Sequence, residues 1–305
     1  MIVAVLGANG QLGSDILRAA AVGEHGIETR GLCRDDLDVT DLGAISAALA
    51  RERFDVLINC TGYHKTDEVE SHATEAFRIN AHAVGAMAKL CRLRAARFVQ
   101  ISTDYVFDGV SRRPYVETDE TGPLNVYGAS KLLGEKLAQR EHADGTIVVR
   151  VASLFGVAGS SGKGGNFVET ILKKGKESGE VRVVNDVTMS PTSTSDAARA
   201  ILSMLKKNAR NGVYHVVNSG PATWFSFAQQ IIEETGVPAK VVPVTSEEYP
   251  TAAVRPAHTV LNNQKASQIV GDISHWKHAL REYLLQKGHI QLEQARSQGA
   301  GLRSI

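Results

Sequence analysis

The sequence predicts an α/β protein, a doubly wound parallel sheet with a smaller C-terminal α/β lobe for substrate, and three stretches lead there. The chain opens on an unbroken apolar run, Ile2-Val-Ala-Val-Leu6, which suits a strand buried on both faces of a parallel sheet. Gly7, Gly10 and Gly13 follow at once, spaced G-x-x-G-x-x-G, and lead into an amphipathic pattern. The third stretch, Leu124 to Glu135, reads as a helix that opens just after Pro123 and carries Tyr127 and Lys131 four residues apart.

Each glycine of the first turn has a separate use. Gly7 allows the tight turn, Gly10 lets the backbone approach a diphosphate, and Gly13 lets the next helix pack closely on the strand while its free N–H groups face the anion. Strand, triplet and amphipathic continuation together favour a Rossmann-type dinucleotide site over a plain structural turn, with Asn9, Gln11 and Leu12 in the same cradle. After the helix of residues 11–21, residues 26–33 form a second strand. At its end an acid would bind the ribose 2′-hydroxyl of NAD, and an arginine would accept the 2′-phosphate of NADP. Cys33 and Arg34 stand there, which favours NADPH with NADH still open; in the other reading Arg34 is solvated and Asp35 or Asp36 reaches the ribose. Asp38 and Val39, a few residues on, join the cofactor side.

Residues 42–52 read as a helix and Asp55 to Cys60 as the third buried strand, with Cys60, Gly62 and Tyr63 at its cofactor end. The turn His64-Lys-Thr-Asp-Glu-Val-Glu70 offers one histidine and three carboxylates but no second His or Cys at ligand spacing, so no metal is expected. A helix over 72–93 returns to a fourth strand, Arg97 to Ile101, which ends in Ser102-Thr103-Asp104. Ligands bind at the carboxyl ends of parallel strands, which makes Thr103 a candidate for chemistry and places Asp104 beside it; simple capping of the turn is the alternative. The i,i+4 spacing of Tyr127 and Lys131 puts phenol and ammonium on one helix face. Beside a cation, in the positive first turn of a helix, the phenol becomes a usable acid near neutral pH.

Composition sets the bounds. The 305 residues are long for one core, and 43% apolar with 22% charged residues is ordinary for a soluble globular protein. A net charge of +1, spread along the chain, suggests neither nucleic acid nor a membrane surface as partner. Cys33, Cys60 and Cys91 have no paired or metal-like spacing and fit a reduced, cytoplasmic setting. The expected division is 1–160 as the cofactor domain, with a return of 181–207, and 161–305 as mainly the substrate lobe; a homodimer is left open.

The second half carries fewer signals. Lys163 and Asn166 sit in or beside a Gly/Ser-rich loop over the site, without the residues of a phosphate loop. Val181–Val184 is a short strand, and residues 195–206 a helix capped by Thr194 or Ser195. Segments 213–217, 224–234 and 240–244 suggest a strand-helix-strand lobe, with Trp224, Phe225, Phe227 and Ile231 as core rather than a ligand platform. Arg255, fixed by Pro256, suits a diphosphate or is a surface turn. The tail after Gln286 lacks apolar periodicity.

A strand-end hydroxyl, a Tyr/Lys helix about 25 residues later and an N-terminal glycine turn together resemble the extended short-chain dehydrogenase/reductases. Gly7–Gly13, Asp36–Asp41, Ser102–Gly109, Tyr127–Lys131, Gly164–Val168, Ser190-Pro-Thr192, Gly212–His215 and Arg255-Pro256 are similar, within that family, to the dTDP-4-dehydrorhamnose reductases. The resemblance covers about residues 1–285. It implies NAD(P)H-dependent reduction of a nucleotide-linked 4-keto-6-deoxy sugar in dTDP-L-rhamnose synthesis. Tyr127 would be the acid, Thr103 would bond the keto oxygen, and Lys131 would lower the phenol's pKa and hold the nicotinamide ribose. Thr103, Asp104, Ser153, Asn166 and Arg255 would face the substrate. Ser153 stands where those reductases commonly carry a tryptophan near the sugar, and His64-Lys65 replaces small residues after Tyr63. An epimerase or dehydratase of the same superfamily, or a non-catalytic NADP-binding regulatory subunit, are the alternatives.

Overall fold

The structure, a computed structural model, describes residues 1–22, 26–159 and 165–291. Strand β1 (Ile2–Leu6) turns through Gly7 into α1 (Gln11–Val22), and β2 (Glu28–Leu32) with α2 (Leu42–Ala50) repeats the unit. Asp41 caps α2 by accepting from the N–H groups of Gly43 and Ala44. After β3 (Val56–Asn59) come α3 (Thr66–Val69), α4 (Ala73–Phe77), a π-helical turn over Arg78–His82, and α5 (Ala83–Leu93). The unbroken helix expected over 72–93 is thus widened at its middle, where Asn80 bonds both backbone groups of Tyr63. Strand β4 (Arg97–Thr103) precedes α6 (Val126–Glu141), which starts two residues later than expected because the Asn125 side chain caps it through Gly128 N–H.

Beyond β5 (Thr146–Val151), short β6 (Leu154–Phe155) leads to α7 (Phe167–Ser178), then β7 (Glu180–Val184), β8 (Thr188–Met189) and β9 (Thr192–Ser193). In α8 (Thr194–Lys206) the cap position falls to Ser193, not Thr194 or Ser195; Thr194 is already helical and gives its hydroxyl to buried Asp15. The chain finishes with β10 (Gly212–His215), β11 (Ala222–Thr223), α9 (Trp224–Thr235), β12 (Lys240–Val244), α10 (Gln264–Val270) and α11 (Trp276–Gln286). The expected loop lysine, Lys163, and most of the polar tail lie outside the described residues.

Six strands pair in parallel in the order β2-β1-β3-β4-β5-β10. Alternation along each strand feeds two cores. Val3, Val5, Ile58 and Val149 pack with α1 and α8, whereas Ala4, Leu6, Leu57 and Phe98 pack with α2 and α5. Two expectations are corrected. Residues 213–215 pair with Val148–Arg150 and extend the main sheet at the edge β5 would otherwise expose, instead of opening the lobe. Val181 and Val183, expected to return to the sheet domain, pair with β12 and pack in the lobe core with Phe227, Ile231 and Trp276, while α8 does return to the sheet. No described helix is long and apolar enough to cross a membrane.

Candidate active site

Strand order reverses between β1 and β3, and at such a point the carboxyl ends of the strands leave a crevice. Here it is a cleft of about 950 Å³ between the sheet and the lobe. The residues assigned above to cofactor, substrate and chemistry lie in its wall, apart from Lys163, which is outside the described residues, and Asp35 and Asp36, which do not line it. Gly7, Asn9, Gly10, Gln11, Leu12 and Gly13 come from the first turn, and Arg34, Asp38 and Val39 follow β2. Cys60, Gly62 and Tyr63 follow β3, Thr103 and Asp104 end β4, and Tyr127 with Lys131 faces them from α6. Ser153, Asn166 and Arg255 close the lobe side.

The first turn fits a dinucleotide. Gly7 has φ +73°, and a Cβ on Gly13 would lie 2.2 Å from the Gly7 carbonyl oxygen, so only glycine lets α1 start this close to β1. The first N–H groups of a helix have no partner within it, and those of α1 begin at the cleft. At the end of β2 the two candidate side chains have different surroundings. Asp36 accepts from Cys33 N–H at 2.8 Å and caps the turn, while Arg34 lines the cleft with its side chain 79% exposed. Asp38 is held below its usual carboxylate range, chiefly by Thr40 N–H, and keeps only a 3.8 Å contact with Arg34. Arg34 is therefore an exposed cation in the cleft wall at the end of β2.

Around Tyr127 the electrostatics differ from the expectation. Burial pushes the phenol up to about 12, a side-chain bond with Thr103 works the other way, and Asp104 adds to the rise. The expected depression by Lys131 does not appear, because Lys131 turns its ammonium onto the Ile101 carbonyl at 2.6 Å. Burial brings Lys131 itself down to about 8. Thr103 donates to Asp104 Oδ1 at 3.0 Å and also caps the following turn through Tyr105 N–H, as the capping alternative expects. Burial raises Asp104 to about 6, and its Oδ2 has no hydrogen-bond partner among the described residues. Cys60 is an inert thiol pushed up to about 12 by burial.

On the lobe side, Ser153 holds φ +43°, a backbone region costly for a residue with a Cβ, at the exit of β5. Asn166 caps α7 through Glu169 N–H and gives its amide to Gly156 O and the Tyr283 hydroxyl. Arg255 grips Asp67 with both terminal nitrogens, at 3.0 and 2.7 Å, a pair joining the lobe to the turn after β3. That turn is tied up further by Tyr63 OH and Lys65 on Glu68, and no group of three His, Cys, Asp or Glu among the described residues could hold a metal ion.

Three features went unread in the sequence. Glu135, one turn beyond Lys131 on the same face of α6, forms a buried bidentate pair with Arg150, and that i+4 step was a usable signal. Asn80 has no such signal, since its role depends on the π turn. Trp224 and Phe167, taken as core or unremarked, both reach the cleft wall.

The RmlD substrate binding domain model matches residues 1–288. The chain is 36% identical over 285 residues to the spore coat polysaccharide biosynthesis protein SpsK of Bacillus subtilis, covering 93% of this chain and 97% of that protein. Among solved structures it is similar to a dTDP-4-dehydrorhamnose reductase, an RfbD ortholog, of Clostridium acetobutylicum, with TM-score 0.87, 37% identity, and 94% of this chain and all of that one covered. A dTDP-4-dehydrorhamnose reductase of Bacillus anthracis, solved in complex with NADP, gives TM-score 0.86 at 31% identity over 93% of this chain and 99% of that one.

Proposed function

The chain belongs to the RmlD substrate-binding domain family, and on that premise we propose that it is an NADPH-dependent reductase of a nucleotide-linked 4-keto-6-deoxy sugar, a dTDP-4-dehydrorhamnose reductase serving dTDP-L-rhamnose synthesis. One observation carries the reading: Tyr127, Thr103 and Lys131 meet in the same cleft as the Gly7–Gly13 turn. Relatives that bear this name, one of them holding NADP, support it.

Gly7 to Gly13 would hold the cofactor diphosphate, Arg34 its 2′-phosphate, and Lys131 with Tyr63 and Gly62 the nicotinamide end. Bound there, NADPH supplies the hydride for the keto carbon. With a pKa of about 12, Tyr127 stays protonated at neutral pH yet is far more acidic than a sugar alcohol, so it can deliver its proton to the oxygen as negative charge develops. Thr103 holds the same oxygen, and Asp104, Ser153, Asn166 and Arg255 line the substrate's path.

In this reading the sheet with α1 to α6, α8 and β10 is the cofactor domain, and the ribbon β7–β12 with α7, α9 and α11 is the substrate lobe. A cytoplasmic setting, supported by three free thiols, and a homodimer belong to the same proposal; light scattering tests the latter. The enzymatic test is loss of reduced-nicotinamide absorbance with dTDP-4-keto-6-deoxy sugars. Steady stoichiometric loss is expected. Turnover without net NADPH loss would instead indicate an epimerase or dehydratase, and binding without turnover a regulatory subunit.

A further inference from the structure

We propose that Tyr283, in α11, is a positioning residue of the substrate site: backed by Glu169 and His289, it fixes which end of the Asn166 amide faces the cleft, a role that rests on the reductase reading above. Asn166 is 8% exposed and stands in the cleft wall. Its Oδ1 accepts from Glu169 N–H at 3.2 Å and caps α7, while its Nδ2 donates to Gly156 O at 3.0 Å and to the Tyr283 hydroxyl oxygen at 3.1 Å. The same nitrogen lies 3.5 Å from Oε1 of Gln11, the first residue of α1, so the donor end is the one turned toward the glycine turn.

The groups that hold the amide this way lie on the far side of Tyr283. Its ring is 4% exposed and packs edge-on to Phe155 with centroids 5.5 Å apart, and its hydroxyl donates to Glu169 Oε1. His289 Nε2, just past the end of α11, meets the same carboxylate oxygen at 2.9 Å. Burial, and then the bond to Glu169, hold the phenol above its ordinary range, so the oxygen keeps its proton. A phenol has only one proton to give. With that proton on Glu169, Tyr283 can only accept from Asn166, and an amide oxygen in the same place would face its lone pairs with no hydrogen between them. Capping α7 would not require this arrangement, because aspartate or serine caps a helix about as well as asparagine and neither carries an amide donor. The oxygen-rich substrate whose path this wall lines therefore meets a donor, where a reversed amide would present a second acceptor.

Wild type, Tyr283→Phe, Asn166→Ala and the double variant should be compared by steady-state kinetics with NADPH and a dTDP-4-keto-6-deoxy sugar, with Tm measured alongside. Loss of the hydroxyl should raise KM for the sugar nucleotide by about 2- to 12-fold, with kcat and KM for NADPH near wild type. Asn166→Ala should raise it at least as far, and the double variant should be no worse than Asn166→Ala, because the hydroxyl acts only through that amide. Should Asn166→Ala not fold, Asn166→Ser, which keeps an oxygen to cap α7 and drops the amide, takes its place in the same comparison. A lower Tm with KM unchanged in Tyr283→Phe, an equal rise in KM for NADPH, or losses that add in the double variant overturns the inference. A wild type that reduces 4-keto sugar nucleotides while Tyr283→Phe matches it refutes this step alone, whereas a wild type that does not reduce them refutes the reductase reading with it.

Discussion

Replacing Glu135 by Leu should cost far more than one hydrogen bond. Its carboxylate and the Arg150 guanidinium are 1% and 3% exposed, joined at 3.0 and 2.7 Å, and Ser102 donates to the same carboxylate. Arg150 Nη1 already lacks a partner among the described residues, and the guanidinium lies 5.0 Å from the Phe107 ring centre. Without Glu135 a full positive charge would stay buried beside the Phe107 ring face, without a carboxylate to pair it. Removing one member of such a pair typically costs about 3–5 kcal/mol, whereas replacing both by apolar groups of similar volume is often neutral. For a sheet domain of this size that corresponds to a Tm lower by about 6–20 °C. Glu135→Leu, Arg150→Met and the double variant should be compared by urea unfolding followed by circular dichroism. Most of the loss in Glu135→Leu should return in the double variant. A single-variant cost below about 1 kcal/mol, or a double variant as weak as the sum of the singles, would refute the reasoning.

Two further outcomes follow from the cleft. Arg34→Ala should raise the Kd for NADPH by about 10- to 150-fold and leave NADH nearly unchanged, because only the 2′-phosphate distinguishes them; equal losses by calorimetry would reject Arg34 as its reader. Lys131 falls from 10.5 to about 8, so the folded protein binds fewer protons than the unfolded chain between those values and stability should rise with pH across that window. Relative to Lys131→Met, the wild type should gain about 3 kcal/mol from pH 8 to 10.5, and a flat or falling difference in urea unfolding would contradict the buried ammonium.

How much of this was legible depended on range. The turn at Gly7–Gly13, the strand-end Thr103 and the Tyr127/Lys131 face are local patterns, and chain order alone carries them to one cleft. Val213–His215 and Val181–Val184 read correctly as strands, but which neighbour each pairs with is settled by long-range register that their own residues do not encode. Trp224 packs against the lobe core as its spacing implies, but helical spacing defines a face and not an end, so it does not reveal that this start of α9 also reaches the cleft wall. The phenol's pKa was expected to fall from spacing alone, yet where Lys131 Nζ points is set by the Ile101 carbonyl, thirty residues away.

The central assignment, Tyr127 as the proton donor, is tested most directly by kcat of Tyr127→Phe with NADPH and a dTDP-4-keto-6-deoxy sugar, with NADPH affinity measured in parallel. General acid catalysis is worth about 10²- to 10⁴-fold, so kcat should fall by that factor while the Kd for NADPH stays at the wild-type value. A variant that keeps near wild-type kcat would contradict the assignment.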